Sequence, residues 1–420
     1  MSTVNWAGNL EFGAAHHHQP RSVEEMRQII AQSDRVGIVG SGHSFNDIAD
    51  TSGDLISTSA LNGIDEVDTT SRTVKVEAGV RYGELGPFLH ARGQALANLA
   101  SLPHLTVAGA AATATHGSGV ANQNLSAAVR GLELVTAVGE LIAIDANQDR
   151  QDVPLAGAII GLGALGAVSG LTLDLVPTFE MQQDVYVDLP RQSAFDHLDE
   201  ILRSAYSISL FTRWGGPTIE QVWVKRLVDE RGPTPAPASQ WGAVRSPVDL
   251  HPVPGMSAES CSIQGGASGP WFERLPHFRP DHRPSRGDEL QSEYFVDYRH
   301  AASAIEAVAD IGAELSPVLL TSEIRAVAAD ELWLSPCYQQ DCLALHFTWQ
   351  QRWPELRMVL PRLEAALAPF LPRPHWGKLF TLDPAVIRTR YPRFDDFDAL
   401  VRRLDPKGTF RNRFLDELLS

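Results

Sequence analysis

The spacing of hydrophobic residues in the first third of the chain changes between helical and strand-like stretches. Residues 22–33 (SVEEMRQIIAQS) place apolar side chains three and four positions apart, and Ser22 followed by Glu25 is typical of a helix start, so a helix is predicted there. The β-branched run 36–40 (VGIVG) predicts a short buried strand, and 132–144 (LELVTAVGELIAI) predicts a β-hairpin. Short strands mixed with occasional helices indicate an α+β fold rather than regular strand–helix–strand repetition.

The pattern of the sequence changes after about residue 177. Strand-like runs are separated by two long helical patterns, and two segments rich in proline and glycine predict long surface loops. Residues 1–177 are therefore predicted to form one domain, and residues 178–373 a second α+β domain with its own sheet. The strand-like runs are 221–228, 290–298, 322–329 and 343–349, the helical patterns are 300–315 and 355–371, and the loops are 231–244 and 251–271.

Composition limits the classes of partner and location. The 420 residues favour two domains, and the 44% hydrophobic and 20% charged content is typical of a globular protein in water. The formal net charge is −16 without any block of lysine and arginine, so neither nucleic acid nor an anionic membrane is an expected partner. No apolar run approaches the roughly 20 residues of a membrane span, and the N-terminus lacks a secretory pattern. We expect a cytoplasmic monomer.

Cysteines and clustered histidines give no metal prediction. The sequence contains three cysteines, Cys261, Cys337 and Cys342, whose spacing matches neither a disulfide framework nor a structural zinc site. The three consecutive histidines at 16–18 suggest either a metal site or a solvated loop. A Gln-Pro pair follows them and no ligand partner stands at a suitable spacing, so the solvated loop is favoured and no metal is predicted.

Two stretches of small residues carry candidate chemistry. The sequence GSGHS at 40–44 can hold a phosphate through backbone N–H groups, but alone it is also an ordinary tight turn and lacks the third glycine of a dinucleotide fingerprint. The stretch ASLPHLTVAGAAATATHGSG at 100–119 has no charged residue. It fits a loop packed under a sheet, and it equally lets backbone N–H groups approach an anion. Two such stretches in one domain predict a large, phosphate-bearing cofactor.

These stretches, followed by LGALGAV at 162–168 and PHWGK at 374–378, resemble the vanillyl-alcohol-oxidase family of FAD flavoproteins. The resemblance runs from NWAGN at 5–9 to LDPKGTF at 404–410, and within the family it is greatest to the alditol (xylitol or sorbitol) oxidases. It implies a two-domain fold with a PCMH-type FAD-binding domain and a cap domain built on a second sheet. Residues 374–420 are then implied to complete the FAD domain.

The resemblance also implies how FAD is held. His43 corresponds to the histidine that bonds covalently to the flavin 8α-methyl group in the family. Some relatives add a cysteinyl bond, but the first cysteine here is Cys261, so a single histidyl link is implied. The residues implied to contact FAD are Ile38, Val39, Gly40, Ser41, Gly42, His43, Ser44, Ser101, Thr106, Gly109, Thr113, Ala114, Thr115, His116, Ile159, Val168 and His375.

The second half of the chain supplies the implied substrate site. Residues two apart on a strand share one face, which applies to Glu323 with Arg325 and to His346 with Thr348. On the residues alone, a surface ion pair is the favoured interpretation of Glu323 with Arg325, and half of a buried strand is that of His346 with Thr348. By resemblance, the catalytic residues are Arg325, Lys378 and Glu323, the substrate-binding residues are Ser101, Glu323, Arg325, His346, Thr348 and Lys378, and Ala100 controls oxygen access.

The implied reaction is oxidation of the terminal primary alcohol of an alditol to the aldose, with dioxygen reduced to hydrogen peroxide. Two cations, Arg325 and Lys378, would stabilise the developing alkoxide, and a partly desolvated Lys378 could accept the proton. One alternative is an aldonolactone oxidase or dehydrogenase of the gulonolactone type, which shares the glycine loop and the HWGK segment. The other is a protein that only binds sugars or a partner and catalyses nothing.

Overall fold

The computed structural model describes residues 3–146, 152–228, 237–282 and 287–419. Its strands form a parallel sheet in the order β1-β3-β2, an antiparallel sheet in the order β4-β8-β6-β7, the pair β5-β9, and one large sheet that contains the others. The strands are β1 His16–His18, β2 Val36–Val39, β3 Asp54–Ser57, β4 Thr73–Glu77, β5 Gln94–Ala95, β6 Val129–Val135, β7 Leu141–Asp145, β8 Ala167–Asp174, β9 Val176–Pro177, β10 Glu180–Pro190, β11 Ser207–Thr212, β12 Thr218–Leu227, β13 Val244–Arg245, β14 Gly269–Pro270, β15 Glu289–Asp297, β16 Leu319–Val327, β17 Cys342–Gln350 and β18 Arg373–Pro374.

The helices are mostly short and cover the sheets from outside. None in the described ranges combines the length and the apolar character needed to cross a bilayer. They are α1 Val23–Gln32, α2 Tyr82–His90, α3 Val107–Ala112, α4 Leu155–Ala158, α5 Arg191–Asp196, α6 Leu198–Arg203, α7 Trp271–Arg274, α8 Ala301–Asp310, α9 Gly312–Leu315, α10 Trp353–Leu367, α11 Pro384–Arg390, α12 Phe394–Leu404 and α13 Arg413–Leu418.

The large sheet is antiparallel throughout, with the order β13-β10-β12-β11-β16-β17-β15-β18 and with β14 beside β10. One of its faces packs against α8 and α10, where Ile324, Leu345 and Phe347 join a common hydrophobic core. Side chains alternate along a strand, so the neighbouring residues Glu323 and His346 face the opposite side. That opposite side looks toward the small-residue stretches of the first 177 residues.

A second core lies under the four-stranded sheet and joins the two ends of the chain. It combines Val74, Leu132 and Leu171 from that sheet with Phe397 and Leu415 from α12 and α13. The C-terminal helices thus pack on the N-terminal part of the molecule, although the exact domain boundaries at 177 and 373 stay predictions.

Several local predictions are confirmed. Helix α1 begins after Ser22, whose hydroxyl accepts the Glu25 N–H at 3.2 Å, and it buries Met26 and Ile30. The Glu25 carboxylate accepts the N–H of Arg21 at 2.8 Å, one residue earlier than in a standard capping box. The strand at 36–39 and the β6–β7 hairpin are also present.

Two predictions about loops are wrong. Residues 16–18 form strand β1, because β3 offers a free parallel edge and because His18 Nε2 lies 2.6 Å from Asp54 Oδ1. The segment 251–271 is not simply a surface loop, since His251 and Ser262 are buried and 251–253 line the central cavity. Of the other predicted loop, residues 231–236 lie outside the described residues.

All three cysteines are buried as free thiols. Burial raises the pKa of Cys261 to about 12 and holds the pKa of Cys337 well above its ordinary value. Among the methionines that the structure describes, Met256 is 45% exposed and Met358 is 66% exposed.

Candidate active site

A cavity of about 2160 Å³, its open mouth included, lies between the N-terminal small-residue stretches and the large sheet. Its N-terminal wall is drawn from the segments 36–46, 100–116 and 158–168, most of whose residues line the cavity. Its opposite wall is the polar face of β15, β16 and β17, and the segment 375–378 closes one side. The two parts of the chain that the sequence singled out therefore meet around one space.

The glycine loop after β2 is shaped for close approach of backbone. A Cβ at Gly40 would collide with Thr106 Oγ1, a Cβ at Gly109 would lie 2.8 Å from the same atom, and Gly42 has a φ of +69° that disfavours other residues. The buried Thr106 hydroxyl has no hydrogen-bond partner within the described ranges. A buried orphan hydroxyl between glycines indicates a polar ligand such as a phosphate oxygen.

His43 lies in this loop and lines the cavity. Its ring stacks on Trp6, with centroids 4.7 Å apart and planes inclined by 23°. Burial, aided by the nearby His104 and Arg81, lowers the pKa of His43 to about 3. The imidazole is therefore neutral at physiological pH and keeps a nitrogen lone pair, which a covalent link to a cofactor requires.

The polar wall is organised by strand register. Glu293 on β15 pairs with His346 on β17, which pairs with Glu323 on β16, so three titratable side chains stand in one row across the sheet. Thr348 stands in the next row, with its hydroxyl 3.1 Å from His346 Nε2. Arg325 follows Glu323 on the same face.

Glu293 is the centre of the charge network and was not predicted. Its carboxylate accepts from Arg325 Nη2 at 2.5 Å and from Lys378 Nζ at 2.6 Å, and His116 Nε2 lies 3.1 Å away. Burial alone would raise the pKa of Glu293, but Lys378, His116 and Arg325 together hold it well below its ordinary value. Glu293 is therefore a carboxylate that balances the two cations.

The same network also shifts the pKa values of Lys378 and Glu323. Burial lowers the pKa of Lys378, and Glu293 only partly opposes this. Burial would raise the pKa of Glu323, but Arg325 and His277 hold it far below its usual range. Lys378 Nζ also lies 2.8 Å from His346 Nδ1, which acts as the acceptor because the ammonium can only donate.

Arg325 has a buried N–H donor that no acceptor in the described ranges satisfies. Its Nη2 binds Glu293, but its Nε is buried without a hydrogen-bond partner within the described ranges. The nearest carboxylate oxygen, Glu323 Oε2, is 3.6 Å away, too far for a hydrogen bond. A buried, charged N–H without a partner indicates the place of a ligand oxygen.

The structure brings nearly all predicted site residues around this cavity, although their roles stay predictions. Among the described residues, Ala114 alone of the predicted set does not line it; its side chain is buried at a φ of 55°. Sequence reasoning missed Glu293 and His277. The signal for Glu293 was an acidic residue in the middle of a predicted strand, LQSEYFVDY, directly before the apolar run YFV. His277 lies in an irregular segment and has no comparable signal.

Comparisons with known proteins agree with this arrangement. Residues 14–145 match the family described as FAD binding domain, and residues 288–418 match the family described as D-arabinono-1,4-lactone oxidase. The chain is 49% identical to an alditol oxidase of Streptomyces sp. over 100% of both proteins. It is 31% identical to L-gulono-1,4-lactone dehydrogenase of Mycobacterium tuberculosis, over 99% of this chain and 98% of that protein.

Solved structures share the fold at low sequence identity. Cholesterol oxidase from B. sterolicum superposes with a TM-score of 0.80 at 15% identity, covering 99% of this chain and 96% of that one. Chitooligosaccharide oxidase superposes with a TM-score of 0.77 at 13% identity, covering 98% and 93%. The predicted two-domain α+β fold is thereby confirmed.

Proposed function

Because the chain belongs to the vanillyl-alcohol-oxidase family of FAD-dependent oxidoreductases, we propose that it is an alditol oxidase. In this proposal it converts the terminal primary alcohol of xylitol, sorbitol or a similar polyol to the aldose and produces hydrogen peroxide from dioxygen. The full-length similarity to an alditol oxidase supports this substrate class.

One observation carries the proposal: the wall of the cavity is a dense array of buried hydrogen-bonding groups. The Arg325 Nε has no partner in the described part of the chain, and Glu323 and Thr348 stand beside it. A substrate with a hydroxyl on every carbon can satisfy such groups together, whereas an analogue lacking one hydroxyl leaves a buried group unpaired.

The residues present fit FAD as the cofactor. Thr106 and the glycines at 40, 42 and 109 would hold its phosphates, and His43 would form its single covalent bond, since no cysteine precedes Cys261. The chemistry that bound FAD would supply is acceptance of a hydride from the alcohol carbon and transfer of the two electrons to dioxygen.

The side chains of the protein itself would help the substrate hydroxyl to lose its proton. Loss of hydride from the alcohol carbon makes the oxygen more acidic, and Arg325 and Lys378 would stabilise the negative charge that develops there. Burial lowers the pKa of Lys378, which favours its neutral amine as the group that takes the proton. Glu323 and Thr348 would bind neighbouring hydroxyls and fix the substrate carbon toward the flavin site.

The gulonolactone-type alternative also needs a test, because the family matched by residues 288–418 bears the name of a lactone oxidase. The purified protein should be incubated separately with xylitol, sorbitol and an aldonolactone, with peroxide formation and kcat/KM as readouts. The proposal expects a kcat/KM for an alditol far above that for the lactone. A preference for the lactone would instead establish the alternative.

A further inference from the structure

Lys225 lies behind the substrate wall and takes no part in the mechanism above. It belongs to β12, and its side chain is 1% exposed. Its Nζ donates to Leu275 O at 2.5 Å and to Pro276 O at 3.0 Å, and it lies 3.0 Å from His277 Nδ1. Burial lowers the pKa of Lys225 to about 7, and Glu323 opposes that shift. In its ammonium form Lys225 has three N–H donors, one for each of these contacts.

The Glu323 carboxylate sets the direction of both hydrogen bonds of the ring. Because a carboxylate can only accept, His277 Nε2, 2.7 Å from Glu323 Oε1, must carry the ring proton and donate it. In a neutral ring Nδ1 then accepts from Lys225. The ring is neutral, since burial together with the Lys225 charge lowers the pKa of His277 to about 4. Phe211 and Trp223 pack their edges near the same ring and restrict its rotation.

The same segment reaches the other wall of the cavity. The backbone N–H groups of His277 and Phe278 donate to the carbonyl of Ser101 at 3.1 and 3.2 Å. Ser101 belongs to the N-terminal small-residue stretch, and Glu323 belongs to the large sheet. Lys225 thus holds a segment that touches substrate-site residues from both halves of the chain.

We propose that Lys225 and His277 are positioning residues for polyol binding. Lys225 fixes His277 in the Nε2–H tautomer and anchors residues 275–278, so that Glu323 remains a hydrogen-bond acceptor and Ser101 keeps its place opposite it. The inference rests on the proposed function, because it assigns Glu323 and Ser101 to the substrate. The inference also specifies which substrate group Glu323 binds. Because Glu323 Oε2 can only accept a hydrogen bond, its partner must be a hydroxyl that donates and not a carbonyl oxygen.

The tautomer can be tested without any activity. Protein with ¹⁵N-labelled histidine, loaded with FAD, should show one neutral ring fixed as Nε2–H across neutral pH, and that signal should vanish in His277→Gln. In Lys225→Met the signal should lose this fixed neutral form, whereas the exposed-lysine control Lys407→Met should leave it unchanged. A wild-type His277 that is an imidazolium or an Nδ1–H tautomer would overturn the proposal.

Substrate binding supplies the second test. A glutamine amide can donate to Glu323 as Nε2–H does and accept from Lys225, whereas leucine can do neither. His277→Gln should bind xylitol within about threefold of wild type, and His277→Leu should bind it about 10- to 100-fold more weakly, the value of a charge-assisted hydrogen bond. The limiting rate at saturating xylitol should fall much less than the affinity.

Equal weakening of xylitol binding by glutamine and leucine would overturn the proposal. The two His277 variants and the wild-type spectrum decide the question even when Lys225→Met does not fold, because neither measurement needs that variant. A protein that oxidises no polyol refutes the proposed function, and the tautomer of His277 still decides whether the positioning contact exists.

Discussion

Replacing Glu293 by glutamine tests whether the buried charge network controls the reacting group. The substitution keeps the volume and an acceptor oxygen but removes one negative charge from a set of two cations, Arg325 and Lys378, and two carboxylates, Glu293 and Glu323. The remaining site then carries an excess positive charge. Lys378, 2.6 Å from the Glu293 carboxylate, is the cation that can respond by losing its proton.

The size of the response follows from Coulomb's law. Two unit charges about 4 Å apart interact by about 4 kcal/mol at an effective dielectric constant of about 20, which corresponds to about 3 pH units at about 1.4 kcal/mol per unit. A neighbouring negative charge raises the pKa of an ammonium, so its removal lowers the pKa. The pKa of Lys378 is already lowered by burial, and the substitution should lower it by about 1 to 3 further pH units.

The assay is anaerobic reduction of the bound flavin by saturating xylitol across a pH series. In wild type the limiting rate should rise as Lys378 loses its proton, and in Glu293→Gln the same rise should appear at lower pH. Glu364→Gln is a matched control, since Glu364 is also buried but binds Tyr294 and Thr381 outside the cavity. An unmoved profile, or a rise displaced to higher pH, would refute the assignment of Lys378 as proton acceptor.

The Glu293→Gln variant should also change the free energy of unfolding and its dependence on pH. The folded-state pKa of Glu293 is depressed, so its charge stabilises the protein above the unfolded pKa, and this contribution is lost as the pH falls through the folded-state value. Leaving buried cations uncompensated should cost about 3 to 5 kcal/mol in unfolding free energy at neutral pH. Urea unfolding at pH 7 and at pH 4 measures both effects, because the variant should lose less stability on acidification than wild type.

Three further predictions concern the flavin, oxygen and substrate. The peptide containing His43 should carry the mass of one FAD after denaturation, and His43→Ala should fold but retain flavin weakly; an unmodified peptide in active protein would contradict the single covalent link. Ala100→Pro should slow reoxidation of the reduced flavin by dioxygen far more than its reduction by xylitol, and equal slowing in stopped-flow would mean that Ala100 only shapes the pocket. Lys378→Met should lower the limiting rate by about 10²–10³, whereas Thr348→Ala should mainly raise KM through a loss of about 0.5–1.5 kcal/mol; a near-normal limiting rate in Lys378→Met would show that Lys378 only binds substrate.

The sequence predicts those parts of the site that depend on short-range geometry. The shared face of Glu323 and Arg325 follows from the two-residue period of a strand, and the glycine loop at 40–44 follows from backbone constraints. Glu293 could not be placed in the same way. Its contacts depend on the register of β15 against β17, which puts it opposite His346, 53 residues later in the chain, and no local pattern encodes that register.

Tertiary pairing also explains where local reasoning failed. A run of three histidines has no intrinsic preference for a strand, and β1 exists because β3 provides hydrogen-bond partners for it. The segment 251–271 has the composition of a surface loop, yet part of it lines the cavity, since the large sheet leaves an open side there. Composition predicts irregular backbone correctly but does not tell whether that backbone is solvated.

The placement of sulfur bears on how the protein would withstand the hydrogen peroxide that the proposed reaction produces. Peroxide oxidises thiolates much faster than thiols, and the resulting sulfinic and sulfonic acids are in general not repaired. Cys261 and Cys337, buried and with raised pKa values, are thiols at physiological pH and are shielded from solvent. Met256 and Met358 expose their thioethers to solvent, where peroxide can reach them and where sulfoxide formation is reversible. Oxidation at these two positions leaves the residues that line the cavity unmodified.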